Sequence, residues 1–359
     1  MSKRSFHKEP YDAGTLTKLQ IFESYIEAWI PVFTSQPHPH FPEIHLFDFF
    51  SGPGTDAAGV LGSPLRILRQ LKSYQASGRL HGWNKVRVNV NLSDANSGKV
   101  AELAEVVSRA EWQIPGVTTQ VQLLKFEDAL AKHARILESS NSAKLLIIDP
   151  FGVNDVSDEV FRKLISLPKS DFIFFVPSTT LNRFRDHASI KVKIDRPEDS
   201  YDVHRCAFDH FKVICGATYF LGRFSIRKPK GNIYGLIFGS RHQLGIHKFL
   251  EIAWGNDAIQ GEANFDIDRE NVAPGELLLP MAEMRPRKIQ IFEQDLEAAL
   301  RSGSLRNEAD LIRFNIESGM ISRHCRSVLR KLKDEGIIEA DFQTPSIDRF
   351  SHPREIKLL

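Results

Sequence analysis

The sequence predicts an α/β fold: a largely parallel sheet covered by helices on both faces and closed by an antiparallel hairpin. A helix precedes this sheet and a small winged-helix domain follows it. Three observations predict this. From residue 44 onward apolar runs alternate with amphipathic ones, the pattern of strand–helix–strand units. The run Leu145-Leu146-Ile147-Ile148 lacks polar alternation, as a strand buried on both faces requires. Two later apolar runs are joined by Arg227-Lys228-Pro229-Lys230-Gly231-Asn232, where Pro, Gly and Asn crowd into a hairpin turn.

Taken in order, residues 15–32 set Leu16, Leu19, Phe22, Ile26, Trp29 and Ile30 at three- and four-residue spacing, an amphipathic helix that Pro31 is expected to end. Gln36-Pro37-His38-Pro39-His40 follows as a linker, its histidines read as loop residues rather than metal ligands. Strands are expected at 44–49, 86–92, 117–124, 145–148 and 172–176, with helices at 65–74, 99–109, 127–137 and 160–167. The stretch 179–215, rich in Arg, Lys, His and Asp, reads as a helical insertion, and the hairpin strands are 219–226 and 233–239. Prolines between 280 and 286 mark a boundary. Beyond it, 288–300, 308–315 and 322–333 read as helices, with wing strands at 337–339 and 355–358, a winged variant of the helix-turn-helix. The expected domains are an N-terminal helical segment over 1–40, a Rossmann-like domain over 41–280 and a winged helix over 281–359. No internal repeat is found.

Composition narrows the class. With 359 residues, 42% apolar and 26% charged, the chain is long enough for two or three domains with a real core. A net charge of +2 gives no whole-chain field for nucleic acid or anionic membrane, so any basic surface is local. Cys206, Cys215 and Cys325 are too scattered for a disulfide framework or a zinc site, and no metal is expected. Residues 1–10 lack an apolar leader and no run approaches a membrane span, which predicts a cytoplasmic protein without membrane attachment.

Chemistry is expected at three turns. Asp48-Phe49-Phe50-Ser51-Gly52-Pro53-Gly54 follows the first strand, and glycines there let the backbone approach a ligand that a β-carbon would push away. Asp48 is placed to accept from an ammonium or hydroxyl. Asp94 ends the second strand, where a nucleotide fold holds ribose hydroxyls, with a helix N-cap near Ser97 as the other reading. Asp149-Pro150-Phe151-Gly152 follows the buried strand, and the Asp149 carboxylate and the Pro150 carbonyl can both accept from an amine. Phe151 either stacks on a planar substrate or fills the core. The alternative for the whole turn is an ordinary strand-to-helix connection with Asp149 satisfied internally.

These motifs resemble those of the three-Cys-motif partner proteins (TcmP), which are similar to class I S-adenosylmethionine-dependent methyltransferases. The resemblance runs through Thr17-Lys18-Leu19 with Tyr25 and Trp29, the Asp48–Gly54 loop, Gly62-Ser63-Pro64-Leu65, Asp149-Pro150-Phe151-Gly152 and the strand from Tyr234 to His242. It implies S-adenosylmethionine as cofactor, with Asp48, Phe50, Ser51, Gly52 and Gly54 at its methionine part, Asp94 at its ribose, and Phe126 and Glu127 (with Asp128) near its adenine. A hairpin closing a parallel sheet is also how such methyltransferase sheets end. The Asp-Pro-Phe-Gly turn is similar to that of tRNA guanine dimethyltransferases and differs from the Asp-Pro-Pro-Tyr of adenine methyltransferases, which leaves the target base open. The implied partner is a radical-SAM-like three-Cys-motif protein of the phage Gp37/Gp68 type, which carries the cysteines of the family name.

Arg323, Arg326, Arg330 and Lys331 on the last expected helix point to nucleic-acid phosphates, against a solvated face that mediates protein contacts. The leading expectation is a methyltransferase acting on an amine or other nucleophile of RNA or DNA. The alternative is a non-catalytic nucleic-acid- or protein-binding partner subunit of the radical-SAM-like protein.

Overall fold

The computed structural model describes residues 9–78, 82–150, 157–176, 202–216, 219–228, 233–265 and 288–359. They form two compact units, Met1–Arg241 and His242–Leu359.

The first unit is built on a seven-stranded sheet of β1 (Glu43–Asp48), β2 (Arg87–Asp94), β3 (Val117–Leu123), β4 (Ser142–Ile148), β5 (Ser170–Val176), β6 (Phe220–Arg227) and β7 (Ile233–Ser240). Its order is β3-β2-β1-β4-β5-β7-β6. β1 pairs in parallel with β2 and β4, aligning Asp48 with Leu92 and Ile147, so these strands end together on one edge. β7 runs antiparallel to both β5 and β6. Every residue of β4 is buried, as its unalternating run predicts. On one sheet face Phe47, Phe49, Phe161, Phe172, Phe174 and Phe211 share a single apolar cluster. Gly239 on β7 has no room for a side chain, because a Cβ there would stand 2.2 Å from the Phe172 ring.

Helices join the strands: α1 (Ala13–Thr34), α2 (Ser63–Ala76), α3 (Ser97–Ser108), α4 (Phe126–Lys132), α5 (Ala134–Leu137), α6 (Asp158–Ser166) and α7 (Asp202–Cys215). The helix expected over 127–137 breaks at His133, whose backbone leaves the helical region at φ −94°, ψ 9°. Pro31 does not end α1; it sits in the last turn, and Ser35 closes the helix by donating to the Pro31 carbonyl. A proline forfeits one hydrogen bond there, and the buried face of Trp29, Ile30 and Thr34 carries the helix past it. Asp12 caps its start, accepting from Thr15 N–H at 2.7 Å. Of the expected insertion 179–215, residues up to 201 lie outside the described residues, and the remainder supplies α7.

Helix α1 is unusual in burying charge on its inner face. The Glu23 carboxylate accepts from Arg66 at 2.6 Å, from Arg69, and from Gln70 at 2.8 Å, all on α2. One turn on, Tyr25 Oη and Trp29 Nε1 both donate to Asp171 at the start of β5, at 2.8 and 3.1 Å. Burial raises Asp171 to about 6, although Ser240, Tyr25 and Trp29 donate to its ionised form.

The second unit contains α8 (Gln243–Asn256), α9 (Lys288–Arg301), α10 (Glu308–Glu317), a 3-10 turn (Ser322–Cys325), α11 (Arg326–Asp334) and the antiparallel pair β8 (Ile338–Glu339) and β9 (Lys357–Leu358). Three helices and a two-stranded antiparallel pair thus follow in the expected order. Helix α8 was not expected. It belongs here because Trp254 is buried, donating to the Gly319 carbonyl at 2.9 Å. The unit therefore begins well before the proline-rich boundary at 280–286, which lies outside the described residues. Glu308 is fully buried and takes a bidentate Arg354, tying α10 to the C-terminal arm.

Removing one partner of a buried ion pair strands the other. Glu23→Ala is expected to cost about 3–5 kcal/mol by leaving the Arg66 guanidinium buried and unpaired, and Glu23→Leu with Arg66→Met to recover most of it. Urea denaturation of the single and double variants measures both.

Candidate functional site

The glycine loop after β1 is stitched to both neighbouring strands. Phe49 N–H donates to the Ile147 carbonyl of β4 at 3.2 Å, and Ser51 N–H to the Ser93 carbonyl of β2 at 2.9 Å. Ser51 Oγ turns back to the Asp48 carbonyl at 2.9 Å. Gly52 and Gly54 lie at φ 62° and 99°, the left-handed region that side chains resist. At Gly54 a Cβ would also stand 3.1 Å from Leu103 and 3.3 Å from Leu65.

Asp94, the last residue of β2, holds this turn from below. Its carboxylate accepts from Gly52 N–H at 3.0 Å and from Asn96 N–H at 2.8 Å. The cap of α3 is Asn96, which accepts from Lys99 N–H at 3.1 Å, so the capping reading belongs to Asn96 and not to Asp94.

Asp48 is fully buried. Its Oδ1 accepts from Phe50 N–H at 3.1 Å, and its Oδ2 has no hydrogen-bond partner. Burial raises its pKa to about 7; the Asp149 and Asp94 carboxylates add to this, against the Ser63 hydroxyl and the Phe50 amide. Asp48 at the end of β1 therefore feels the acids at the ends of β2 and β4 across one edge of the sheet.

Asp149 is satisfied within the chain. Lys18 Nζ of α1 lies 2.5 Å from its Oδ2, and the two side chains are only 9% and 10% exposed. The same ammonium sits 4.6 Å above the Phe175 ring, a cation–π contact. Tyr11 comes from the segment ahead of α1. Its backbone N–H donates to Asp56 at 2.7 Å, and Asp56 also gathers Ala58 and Val60 N–H, bracing the loop that leads to α2. The Tyr11 phenol is pushed up by burial and by the Asp56, Asp149 and Asp48 carboxylates, which places it beside the acids.

Other residues singled out from sequence fall variously. Pro150 is buried next to Asp149, while Phe151 and Gly152 lie outside the described residues. Phe126 belongs to the core, edge-on to Phe49 at 5.2 Å and tilted against Phe50 at 5.4 Å, whereas Glu127 is exposed in the first turn of α4. In the second unit Arg323, Arg326 and Arg330 are exposed. Arg323 sits in the 3-10 turn rather than on the helix of Arg326 and Arg330, so the three do not share one regular helical face. Lys331 is engaged by Glu297 at 2.7 Å. Sequence reasoning missed Lys18, Tyr11 and Asp56 as site residues. For Lys18 the signal was present: it stands four residues before Phe22 and so falls on the inward stripe of α1.

The sheet order, with β7 alone running against the others and lying between β5 and β6, decides the architecture. It is a Rossmann-like methyltransferase fold. Solved structures of methyltransferases align with the chain at low identity. An rRNA methylase from Streptococcus thermophilus is 9% identical, covering 60% of this chain and 92% of its own, with a TM-score of 0.31. An O-methyltransferase from Bacillus cereus in complex with SAH is 11% identical, covering 64% and 91%, with a TM-score of 0.33. An O-methyltransferase from Streptomyces achromogenes in complex with SAM is 12% identical, covering 63% and 89%, with a TM-score of 0.32. No family model matches the chain, and no curated protein matches it. Likenesses this distant carry no chemistry, which has to come from the chain's own residues. Among the described residues no helix is long and apolar enough to cross a membrane.

A carboxyl whose pKa rises on folding binds its proton more tightly in the folded state. Its stabilising contribution is complete below the unfolded value near 3.8 and is lost as pH climbs through about 7. Asp48→Asn is therefore expected to stabilise the ligand-free protein by about 2–4 kcal/mol at pH 8 and by far less at pH 4. Urea midpoints at the two pH values check the sign.

Proposed function

We propose that the first unit binds S-adenosylmethionine at the Asp48–Gly54 loop and transfers its methyl group to an amine or other nucleophile of a nucleic acid. The observation that carries this is the Asp48 carboxylate, fully buried with Oδ2 unpartnered, flanked by Asp94 and Asp149. A buried carboxylate with one oxygen unpartnered is costly. Such a group fits a cationic ligand, and S-adenosylmethionine brings both an ammonium and a sulfonium.

The fit extends along the loop. The left-handed turns at Gly52 and Gly54 let the backbone come close to the methionine part, with Asp48, Phe50 and Ser51 beside it. Asp94 has both carboxylate oxygens engaged by backbone N–H groups, and each oxygen keeps a second lone pair for a ribose hydroxyl. Glu127, exposed at the start of α4, is the residue of its pair left for the adenine, since Phe126 fills the core.

When bound, the cofactor would supply a sulfonium methyl group that passes to an acceptor lone pair as the carbon–sulfur bond breaks and the sulfur leaves as a neutral thioether. The chain's share is positioning and electrostatics. The Asp149 carboxylate and the Pro150 carbonyl accept hydrogen bonds from an acceptor amine and turn its lone pair toward the methyl group, with Phe151 as a stacking surface. In the second unit the exposed Arg323, Arg326 and Arg330 serve as phosphate contacts, the role a winged helix gives such residues.

A second reading has a specific observation behind it. Asp149, the acceptor-side carboxylate, is already paired with Lys18. A non-catalytic subunit that partners a radical-SAM-like three-Cys-motif protein would retain that pair as a structural bond. The motif resemblance favours the same partner.

Titration calorimetry separates the two. The methyltransferase reading expects S-adenosylmethionine to bind the wild type, with Asp48→Ala weakening it at least about tenfold, equivalent to the loss of one buried charge contact. Absence of binding at millimolar cofactor would overturn it. For the second unit, Arg323→Glu with Arg326→Glu is expected to weaken RNA binding about tenfold and to flatten its salt dependence. Lys331→Met should stay within about twofold, because Glu297 already holds that ammonium. Filter binding at two salt concentrations reads both.

A further inference from the structure

We propose that Lys18 is the specificity-determining residue of the acceptor site, making it select an uncharged amine, such as the exocyclic amine of a nucleobase, over an aliphatic ammonium. The inference rests on the methyltransferase reading and deepens it.

The pair lies at the edge where β4 ends. Lys18 Nζ is 2.5 Å from Asp149 Oδ2, both side chains are nine-tenths buried, and the Phe175 ring covers the ammonium from 4.6 Å. A lone carboxylate in such surroundings attracts any cation strongly, since charge interactions grow as the local dielectric falls. Paired at this distance, Lys18 and Asp149 carry no net charge between them. A second ammonium then meets a fixed positive charge at close range and gains no net attraction to offset its desolvation. A neutral amine meets no such barrier. It donates a hydrogen bond to the Asp149 oxygen that Lys18 leaves free, and it keeps the lone pair that an ammonium lacks.

The surroundings support this assignment. The Asp149 and Asp94 carboxylates both raise the proton affinity of Asp48, and Lys18 is bonded to Asp149 within that acidic cluster. Arg66, the next basic residue inward, is committed to Glu23 at 2.6 Å. Without Lys18 the acceptor side would present an unpaired carboxylate suited to lysine side chains or polyamines. With it, one carboxylate is set aside as a neutral hydrogen-bond acceptor. Lys18 is also the buried cation that a purely structural account of α1 does not require, since Glu23, Tyr25 and Trp29 already anchor that helix.

The test compares two kinds of amine on the full chain saturated with S-adenosylhomocysteine. Binding of 9-methyladenine, 1-methylcytosine and 9-methylguanine is measured by calorimetric titration against binding of n-butylammonium. The wild type is expected to hold at least one neutral amine about tenfold more tightly than n-butylammonium, and Lys18→Met to reverse that order by a similar factor. Lys18→Arg, which keeps the charge, should keep the wild-type order, a rescue that a loss of packing alone would not produce. Lys18→Gln replaces Lys18→Met if the latter does not fold. The proposal is overturned if the wild type binds n-butylammonium as tightly as the neutral amines, if none of the neutral amines binds, or if removing the charge leaves the order unchanged. Binding of S-adenosylhomocysteine itself, measured first, shows whether the cofactor reading has failed instead.

Discussion

Crowding of negative charge at one edge of a parallel sheet is the constraint on which the rest of the first unit depends. Parallel strands all end on the same side, so Asp48, Asp94 and Asp149 are brought together by topology rather than by any attraction between them. Each is handled differently. Asp94 is absorbed by backbone N–H groups, Asp149 by a lysine, and Asp48 is left with an empty oxygen and a raised proton affinity. A fold selected for stability alone would not keep that last group. A cation at that oxygen would relieve the cost of its burial, and acids with raised proton affinity concentrate at functional sites.

Helix α1 is what makes the arrangement tolerable. Its inner face carries Lys18, Glu23, Tyr25 and Trp29, and each of these meets a polar partner on α2 or the sheet. Apolar contacts alone would let such a helix slide or rotate over the sheet at little cost. Directional bonds at both ends of the face fix its rotation and its height, and through them the position of one ammonium at the strand edge. The segment before α1 contributes in the same direction, since Tyr11 reaches the loop through Asp56.

Much of this was legible in the residues. The alternation of apolar and amphipathic runs located every strand of the sheet to within a few positions; the inner strands read as unbroken apolar runs because both of their faces are covered, as in β4. The glycine turn and its flanking acids were visible for a similar reason, since Gly52, Gly54, Asp48 and Asp94 sit at strand ends where few other roles are available. The misreadings were of another kind. Pro31 reads as a helix stop because local propensity says so, yet packing of Trp29 and Ile30 overrides it. The break at His133 and the 3-10 turn before Arg326 are changes of backbone conformation within runs whose apolar spacing continues, so periodicity does not record them. The tie between Lys18 and Asp149 spans 131 positions along the chain, and no local pattern encodes a bond of that reach. Phe126, placed near the adenine by the motif resemblance, has its ring packed in the core against Phe49 and Phe50, a contact that no local pattern records.

The missing side chain at Gly239 has an effect on how the sheet is completed. The Phe172 ring occupies the place of the missing side chain, and the two residues are direct neighbours in the β5–β7 register. Sliding β7 by one position would bring Phe238 or Ser240 against that ring, where neither fits. Gly239 thus acts as a keyway: it admits the one strand running against the grain in a single alignment, and that alignment in turn sets where β6 is laid down.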